Sequence, residues 1–554
     1  MKRTWYKEGF VYQIYPRSFK DSNNDGIGDI RGIIEKVDYL NDLGIDIVWL
    51  SPVYKSPNDD NGYDISDYKD IMEDFGTLAD WKAMISAFHA RGIKLVMDLV
   101  VNHTSDEHPW FIESKKNKAN PYRDYYFWRK GRGKKKPNNW TSFFTGSAWE
   151  YDKITAEYYL HLFSKKQPDL NWDNPKVREE VKGIIKFWLD LGVDGFRCDV
   201  INIISKKRGL PNGKFKIGLI GSEHYMNGPH VHEYLHELNV DVLSKYDCFT
   251  VGEAVFIAPE AALKYVEEKN QELSMIFHFD HMFVDNIFKW ILRPFKLKKL
   301  KRVLSRWQDK INGKGWNTLY LENHDQPRIV SRWGNDKEYH TESAKMLATM
   351  IYFQQGTPFI YQGQEIGMTN AHFTELSQYR DVETLNIYQL GRKKLHLTHK
   401  NMMKRLAYMS RDNARTPMQW NNDLHAGFST REPWIEVNPN YNDINVEVAK
   451  KDDNSIYHYY KKIISLRKKY DIIVYGDYLE LLPNDKNLYV YLRSLDDQIL
   501  LVITSFTEKQ VRFSLPKTVN YRDALLLLSN YEVNDNLTQF VTRPYEARVY
   551  LLNK

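Results

Sequence analysis

The chain carries eight apolar runs rich in Val, Leu, Ile and Phe, each short enough for one buried strand. Between most of them lie stretches such as IRGIIEKVDYLNDLG and DWKAMISAFHARG, which have helical apolar spacing and end at glycine. Strand and helix alternating eight times predict an α/β protein, a (β/α)8 TIM barrel. The runs are GFVYQIYP from Gly9, IDIVWLSP from Ile45, IKLVMDLVVNH from Ile93, VDGFRCDV around Asp199, CFTVGEAV around Glu253, MIFHFD from Met275, NTLYLENHD ending at Asp325, and GTPFIYQGQE from Gly356.

Two intervals between the runs are too long for simple connections. The first, residues 104–175, is rich in Trp, Tyr, Lys and Asn and has little helical period. The second starts at about Met368, after the eighth run. From about Tyr478 short alternating runs such as LYVYLRS and ILLVITSF indicate an antiparallel β-domain. We predict a barrel domain over 1–103 and 176–477, a subdomain inserted after the third strand over 104–175, and a C-terminal β-sandwich-like domain over 478–554.

The charge balance and the two cysteines limit the partners and the compartment of the protein. The formal net charge is +6 from 78 Lys+Arg and 72 Asp+Glu, so no strong field would attract nucleic acid or a membrane surface. Two cysteines in 554 residues argue against a disulfide framework and fit a reducing compartment. The N-terminus has no apolar signal core, and no run of 18 apolar residues occurs. We expect a monomeric cytoplasmic protein that binds neither nucleic acid nor membranes.

Three acidic residues lie where predicted strands end, which is where barrel enzymes carry their chemistry. Retaining glycosidases need a carboxylate nucleophile and a carboxyl proton donor about 5 Å apart. Arg197 lies two residues before Asp199, on the same face of the strand, and favours an ionised Asp199, which we take as the nucleophile. Apolar neighbours desolvate Glu253, which suits a general acid. Asp325 would hold sugar hydroxyls. The simpler alternative is that these acids cap the following helices.

Four segments carry a resemblance to a known family. DLVVNH, GFRCDV, the GEA of the fifth run and ENHDQPR resemble the conserved regions of the α-amylase family, glycoside hydrolase family 13, in order and spacing. The similarity covers essentially the whole chain. It is strongest to the bacterial oligo-1,6-glucosidase group, with further matches in QPDLNWDNP, YMNGPHVHEYLHE and RDNARTPMQW. The resemblance implies a retaining exo-α-glucosidase that hydrolyses terminal α-1,6-linked glucose from small isomalto-oligosaccharides.

The resemblance also implies roles for residues around the three acids. Asp60 and Arg415 would form the pair that closes the pocket behind the terminal glucose, although a buried Asp/Arg pair can be purely structural. Val200, directly after the nucleophile, resembles the residue that accompanies α-1,6 cleavage, and QPDLN agrees with the same branch. The implied substrate contacts are Asp60, Tyr63, Asp98, His103, Phe163, Gln167, Arg197, Val200, His324 and Arg415.

Other functions stay open at this point. A trehalose-6-phosphate hydrolase would carry the same catalytic set, with lysines to bind phosphate. A broader α-glucosidase or sucrose hydrolase is a further alternative; the segment QPRIVSRWGND lacks the Arg- and Asp-rich loop of sucrose isomerases. A non-catalytic transporter heavy chain would carry a membrane span and lose catalytic acids, and this sequence shows neither feature.

The segment DSNNDGIGD predicts a structural cation site. Its oxygen-bearing residues alternate as in the first part of an EF-hand loop, and Gly26 permits the sharp turn, although Gly32 stands where the bidentate Glu would be. The alternative is a surface Asx-rich turn. Relatives in the resembled family carry calcium, or sometimes magnesium, in this loop. The predicted ligands are Asp21, Asn23, Asp25, the carbonyl of Ile27, and Asp29.

Overall fold

The eight predicted strands form one parallel barrel in the computed structural model. The structure describes residues 3–133, 135–216 and 218–554, so Met1, Lys2, Lys134 and Ile217 lie outside the described residues. In the sheet the first strand pairs with the second and the eighth, and a parallel bridge from Ile276 to Asn317 joins the sixth strand to the chain entering the seventh. The strands are Val11–Ile14, Ile47–Leu50, Lys94–Leu99, Gly195–Cys198, Phe249–Glu253, Met275–Phe277, Thr318–Leu319 and Thr357–Tyr361.

Helices follow the strands around the outside of the barrel. The stretch predicted as one helix after the first strand forms two, and Gly44 ends the second with a left-handed φ of 94°. A capping box between Thr77 and Asp80 starts the helix after the second strand. The principal barrel helices, in chain order, are Ile30–Glu35, Val37–Leu43, Leu78–His89, Pro175–Asp190, Val231–Asp241, Pro259–Val266, Leu297–Ile311, Ile329–Trp333, His340–Tyr352 and Ile456–Lys469. Among the described residues, no helix is both long and apolar enough to cross a membrane.

Two insertions stand on the carboxyl side of the barrel strands. The first contains the helix Pro109–Lys116, which its weak helical period did not indicate, and an antiparallel sheet of Trp128–Arg129, Glu157–Leu160 and Trp149–Asp152. Its end, QPDLN, pairs with the loop after the third strand through an antiparallel bridge between His103 and Asp169. The second insertion contains the helices Val382–Lys393, His399–Met409 and Asp412–Arg415. Both segments therefore reach the face where the predicted acids lie.

The C-terminal segment is antiparallel, as predicted. Five strands form one sheet in the order Asp477–Leu481, Leu488–Leu495, Gln498–Ser505, Ala547–Asn553 and Asp523–Ser529. Val511–Ser514 pairs with Gln539–Thr542 in a second, smaller sheet. Phe513 and Phe540 of the small sheet pack with Val490 and Leu501 of the large one in a common core. The domain boundaries themselves stay a prediction.

Candidate active site

Arg197 binds three carboxylates at the centre of the barrel mouth. Its side chain is 2% exposed, and the register of the third and fourth strands sets it opposite Asp98. Its Nη1 lies 2.6 Å from Oδ1 of Asp98 and 2.6 Å from Oδ1 of Asp199. Its Nη2 lies 2.6 Å from Oε2 of Glu253. One guanidinium thus holds together the ends of the third, fourth and fifth strands.

The two acids Asp199 and Glu253 have raised but different pKa values. Burial raises the pKa of Glu253 to about 7, and Arg197 opposes this shift. Burial raises the pKa of Asp199 to about 6 against the same arginine, and a hydrogen bond with Glu253 also lowers it. The negative charges of Asp199 and Asp325 raise the pKa of Glu253 further. Arg197 was predicted to keep Asp199 ionised; desolvation is larger than the effect of the arginine, yet a pKa of about 6 still leaves Asp199 ionised at neutral pH. At neutral pH this arrangement supports an ionised Asp199 beside a protonated Glu253.

Asp325 differs electrostatically from the other two acids. Its Oδ1 lies 2.7 Å from Nη2 of Arg415 and 3.2 Å from Nη1 of Arg411, and its Oδ2 lies 3.2 Å from Nε2 of His324. Burial acts to raise the pKa of Asp325, but His324 and the two arginines together hold it well below its usual range. Asp325 is therefore a permanent anion that can accept hydrogen bonds from hydroxyl groups.

Asp60 forms its ion pair with Arg411 and not with the predicted Arg415. Oδ1 of Asp60 lies 3.1 Å from Nη2 of Arg411, whereas Arg415 binds the carboxylate of Asp325 and the carbonyl of His324. The prediction of an Asp60–Arg415 pair is wrong. The two arginines stand four residues apart in RDNAR, so sequence spacing alone could not choose between them.

Aromatic and imidazole side chains form one wall of the site. The hydroxyl of Tyr63 lies 2.7 Å from Nε2 of His324 and 3.2 Å from Oδ2 of Asp98. Nδ1 of His324 lies 2.7 Å from the amide nitrogen of Gln13. Burial lowers the pKa of His324. The hydroxyl of Tyr63 contacts both His324 and Asp98, and these contacts fix its ring.

Gln167 joins this wall to the pocket floor. Its amide donates to Oδ2 of Asp60 and to the carbonyl of Tyr63, both at 3.2 Å. Nε2 of His103 donates to the same carbonyl at 3.0 Å. Burial lowers the pKa of His103 to about 4, so its imidazole is neutral at pH 7. The start of QPDLN is therefore part of the site.

A cavity of about 190 Å³ lies between these groups. Of the predicted residues, Asp60, Tyr63, His103, Phe163, Asp199, Val200, Glu253 and Asp325 line it. Asp98, Gln167, Arg197, His324 and Arg415 lie behind them and contact lining residues. Sequence reasoning missed Phe143, Phe144, Val255, Phe279, Lys289, Gln326, Glu383 and Arg411.

The missed residues come mainly from loops and insertions. Phe143 and Phe144 belong to the first insertion, and Glu383 and Arg411 to the second. Such segments have no strand-end position that marks a functional residue. The carboxylate of Glu383 binds the ammonium of Lys289, and Arg411 lies over the ring of Phe144 at 5.4 Å. The available signals were the first Arg of RDNAR, four residues before the predicted Arg415, and Gln326, which follows Asp325 in ENHDQPR.

Comparison with known proteins agrees with this geometry. A family model described as the catalytic domain of alpha amylase matches residues 13–476, which include all eight strands except the first two residues of the first. The chain belongs to the α-amylase family. It is a glycoside hydrolase built on that family's barrel.

Relatives within the family cover the whole chain. The oligo-1,6-glucosidase of Parageobacillus thermoglucosidasius is 60% identical over 99% of both chains, and that of Bacillus cereus is 55% identical over 100% of both. A solved structure, the trehalose-6-phosphate hydrolase of Bacillus licheniformis, is 48% identical with a TM-score of 0.95 over 100% of both chains.

Val200 has a backbone conformation that is rare for valine. Its φ of 36° and ψ of 40° lie in the left-handed region, which is strained for a β-branched residue. The turn directs the Val200 N–H to Oε2 of Glu253 at 3.1 Å. The side chain lines the cavity beside Asp199. Val200 thus touches the site through both its backbone and its side chain.

The loop predicted to hold a cation forms a turn around Asp21. The Asp21 carboxylate is buried and accepts hydrogen bonds from the N–H groups of Asn23, Asn24 and Gly26 and from the Ser429 hydroxyl. Asp29 caps the following helix. In the described part of the chain, the carboxylates that converge closely enough for a metal are Glu179, Glu237 and Asp241, not those of this loop. The oxygen donors suit a hard cation chemically, whereas the geometry is that of an Asx-rich turn.

Proposed function

We propose that the protein is a retaining exo-α-glucosidase that removes terminal α-1,6-linked glucose from isomaltose and isomalto-oligosaccharides. The observation that carries the proposal is the cluster around Arg197, in which Asp199 and Glu253 share one guanidinium and the pKa of Glu253 lies above that of Asp199. A nucleophile and a proton donor with this order of pKa values are what a retaining mechanism requires.

The reaction then proceeds in two displacements. The Asp199 carboxylate attacks the anomeric carbon and forms a β-glucosyl ester, while Glu253 gives its proton to the departing glycosidic oxygen. Glu253, now ionised, takes a proton from water as the water attacks the same carbon. The ester bond breaks, Asp199 is restored, and glucose leaves with its α configuration. Asp325 holds ring hydroxyls, His324 and Asp98 fix the hydroxyl of Tyr63 from behind, and His103 completes the wall around the ring.

The size and closure of the pocket support exo action. A cavity of about 190 Å³ is smaller than the roughly 300–1,000 Å³ of sites for drug-sized ligands, so its enclosed part suits one sugar ring. The buried Asp60–Arg411 pair lines it and blocks that side, with Gln167 bonded to the other oxygen of Asp60. A chain cleaved in its middle would need an open groove on both sides of the catalytic acids.

The mouth of the pocket supports an uncharged aglycone. Among the described residues that line it, the cations with permanent charge are Lys289 and Arg411, and each is already paired with carboxylates. A phosphate group would have to displace Glu383 or Asp381 to bind them. The Lys289–Glu383 pair instead offers donors and acceptors to sugar hydroxyls. The names of the most similar relatives support the same substrate class.

The test is kcat/KM on isomaltose, maltose, sucrose and trehalose 6-phosphate under one set of conditions. We expect isomaltose to lead, since an apolar Val200 beside the nucleophile shapes the site for the α-1,6 linkage. If kcat/KM were highest for trehalose 6-phosphate, the catalytic assignments would stand, but the proposal of an uncharged aglycone would be overturned. Equal rates on maltose and isomaltose would indicate a broader α-glucosidase.

A structural cation and a cytoplasmic location complete the proposal. Asp21, Asn23, Asp25, the Ile27 carbonyl and Asp29 would hold calcium, with magnesium as a weaker competitor. Calorimetric titration of EDTA-treated protein with CaCl2 should give one site that Asp25→Asn weakens; no heat of binding would leave the loop as a turn. The two cysteines, Cys198 and Cys248, are free thiols, which supports a reducing compartment. A monomer is expected by size-exclusion with light scattering.

A further inference from the structure

An ion pair that does not line the cavity lies directly behind its sugar-binding wall. Nζ of Lys206 is 2.8 Å from Oδ2 of Asp169, and both side chains are 0% exposed. Lys206 lies in the loop after the fourth strand, and Asp169 is the acidic residue of QPDLN. A buried lysine is costly unless a partner and hydrogen bonds satisfy it, so its retention here needs a reason.

The pair is bonded to Asn102, the neighbour of His103. Lys206 donates to Oδ1 of Asn102 at 2.7 Å, and Nδ2 of Asn102 donates to Oδ2 of Asp169 at 3.1 Å. The three groups therefore form a closed triangle. The same Nδ2 donates to Nδ1 of His103 at 3.2 Å. Lys206 thus fixes the amide that meets one ring nitrogen of His103.

The backbone on both sides is tied to the same unit. The main chain of QPDLN pairs with the loop after the third strand through Thr104 N to Pro168 O at 3.2 Å and Leu170 N to Asn102 O at 2.9 Å. The other oxygen of Asp169 accepts from Leu162 N at 2.7 Å. The inserted subdomain is therefore joined to the barrel at the point where His103 enters the cavity.

We infer that Lys206 and Asp169 are positioning residues for the reaction, which act by holding the His103 imidazole in one orientation and tautomer. With Asn102 donating to Nδ1, the ring proton lies on Nε2, which faces Tyr63 and the cavity wall. Without the ammonium, the Asn102 amide can rotate and present its oxygen to Nδ1, which favours the other tautomer. The inference rests on the proposed function only in taking His103 as part of the sugar-binding wall.

The test is a cycle of variants measured on an aryl α-glucoside, whose cleavage does not depend on the linkage preferred among natural sugars. Lys206→Met keeps the length of the side chain and removes the charge. We expect kcat/KM to fall about 10- to 100-fold, by analogy with the loss seen when the group that orients a metal-bound histidine is removed. In a His103→Ala background the same substitution should cost less than twofold, since it acts through that ring.

A matched control separates positioning from general stability. Lys182 is also mostly buried and bound to three carboxylates, Glu179, Glu237 and Asp241, but it lies away from the cavity. Lys182→Met should lower Tm without changing kcat/KM. If Lys206→Met does not fold, the double variant Lys206→Met with Asp169→Asn removes both charges, and it is compared in the wild-type and His103→Ala backgrounds in the same way.

The outcomes are distinct. An equal loss in the wild-type and His103→Ala backgrounds, no loss in the wild type, or failure of both Lys206 variants to fold would overturn the positioning role. An unchanged His103→Ala enzyme would overturn the roles of both His103 and Lys206 in the wall. A wrong linkage assignment in the proposed function would appear only with the natural disaccharides, and would leave this cycle unaffected.

Discussion

Asp60 and Arg411 form the ion pair at the base of the cavity, with Oδ1 and Nη2 3.1 Å apart. Arg411 also binds Asp381 at 2.5 Å, so one guanidinium links the loop after the second strand to the second insertion. Burial raises the pKa of Asp60 to about 7, and Arg411 is the first of the cations that oppose this shift. The closure of the pocket therefore depends on a contact between two loops distant in sequence.

This contact predicts a measurable coupling. Asp60→Asn and Arg411→Gln, made singly and together, should be non-additive in kcat/KM by about 1–3 kcal/mol, because each removes the same interaction. Asp60→Asn with Arg415→Gln is the matched cycle and should show a smaller coupling, since Arg415 binds Asp325 instead. A larger coupling to Arg415 would restore the pairing expected from the sequence.

The pH dependence of kcat/KM should be a narrow bell. Asp199 must be ionised, so activity rises as the pH passes about 6, and Glu253 must carry its proton, so activity falls as the pH passes about 7. The two limbs belong to the coupled pair. Glu253→Ala, assayed on an aryl glucoside that needs no proton donor, should lose the alkaline limb. A wild-type rate that stays constant up to pH 9 would contradict the assignment of Glu253 as the acid.

The same shift predicts that the catalytic acid destabilises the fold. Burial raises the pKa of Glu253 from 4.5 to about 7, so between these values the folded protein retains a proton that the unfolded chain has lost, and stability falls as the pH rises through this window. Glu253→Gln should therefore raise Tm at pH 8, by a free energy on the order of 3 kcal/mol, and leave it nearly unchanged at pH 4.

Asp325 is a control, because its ionisation should change the stability of the fold in the opposite direction. Its folded pKa is depressed well below 3.8, so its ionised form contributes stability at pH values above 3.8 that is lost as the pH falls through the folded value. Asp325→Asn should lower Tm at pH 8. Shifts of the same sign for Glu253→Gln and Asp325→Asn would show that these electrostatic assignments are wrong.

Substitutions at Val200 should separate the effect of backbone strain on stability from the effect of the side chain on substrate preference. Val200→Gly and Val200→Ala both remove a buried side chain and should lower Tm, but only glycine relieves a left-handed backbone worth about 1–3 kcal/mol, so Val200→Gly should melt above Val200→Ala. Loss of the side chain should also reduce the preference for isomaltose over maltose by about 10- to 100-fold. Val200→Thr keeps the branched shape and the backbone strain, so its preference should move toward maltose. A Val200→Gly protein that melts below Val200→Ala would argue against strain at this turn.

The sequence was informative where function coincides with a strand end. Asp199 and Glu253 were identifiable because each follows a buried apolar run, and a parallel barrel brings all such ends to one face. Lys289, in the loop after the sixth strand, and Glu383, in the second insertion, gave no such signal, because their positions depend on how irregular segments fold over the barrel. The choice of Arg411 over Arg415 required side-chain directions, which spacing does not supply.

The pKa of Asp199 was also beyond sequence reasoning. The neighbouring Arg197 was visible in the sequence and was expected to keep Asp199 ionised. Burial, which opposes it and is larger, depends on how the folded chain packs around the carboxylate. The sequence therefore predicts which charges meet, but not how much water is removed from them.

The most direct test of the account is mass spectrometry of the enzyme after reaction with 5-fluoro-α-glucosyl fluoride, which forms the glycosyl ester quickly and releases it slowly. We expect one added fluorinated hexose, located by peptide mapping on Asp199, and no adduct in Asp199→Ala. An adduct on Glu253 or Asp325, or turnover with inverted configuration and no adduct, would contradict the assignment of Asp199 as the nucleophile of a retaining glycosidase.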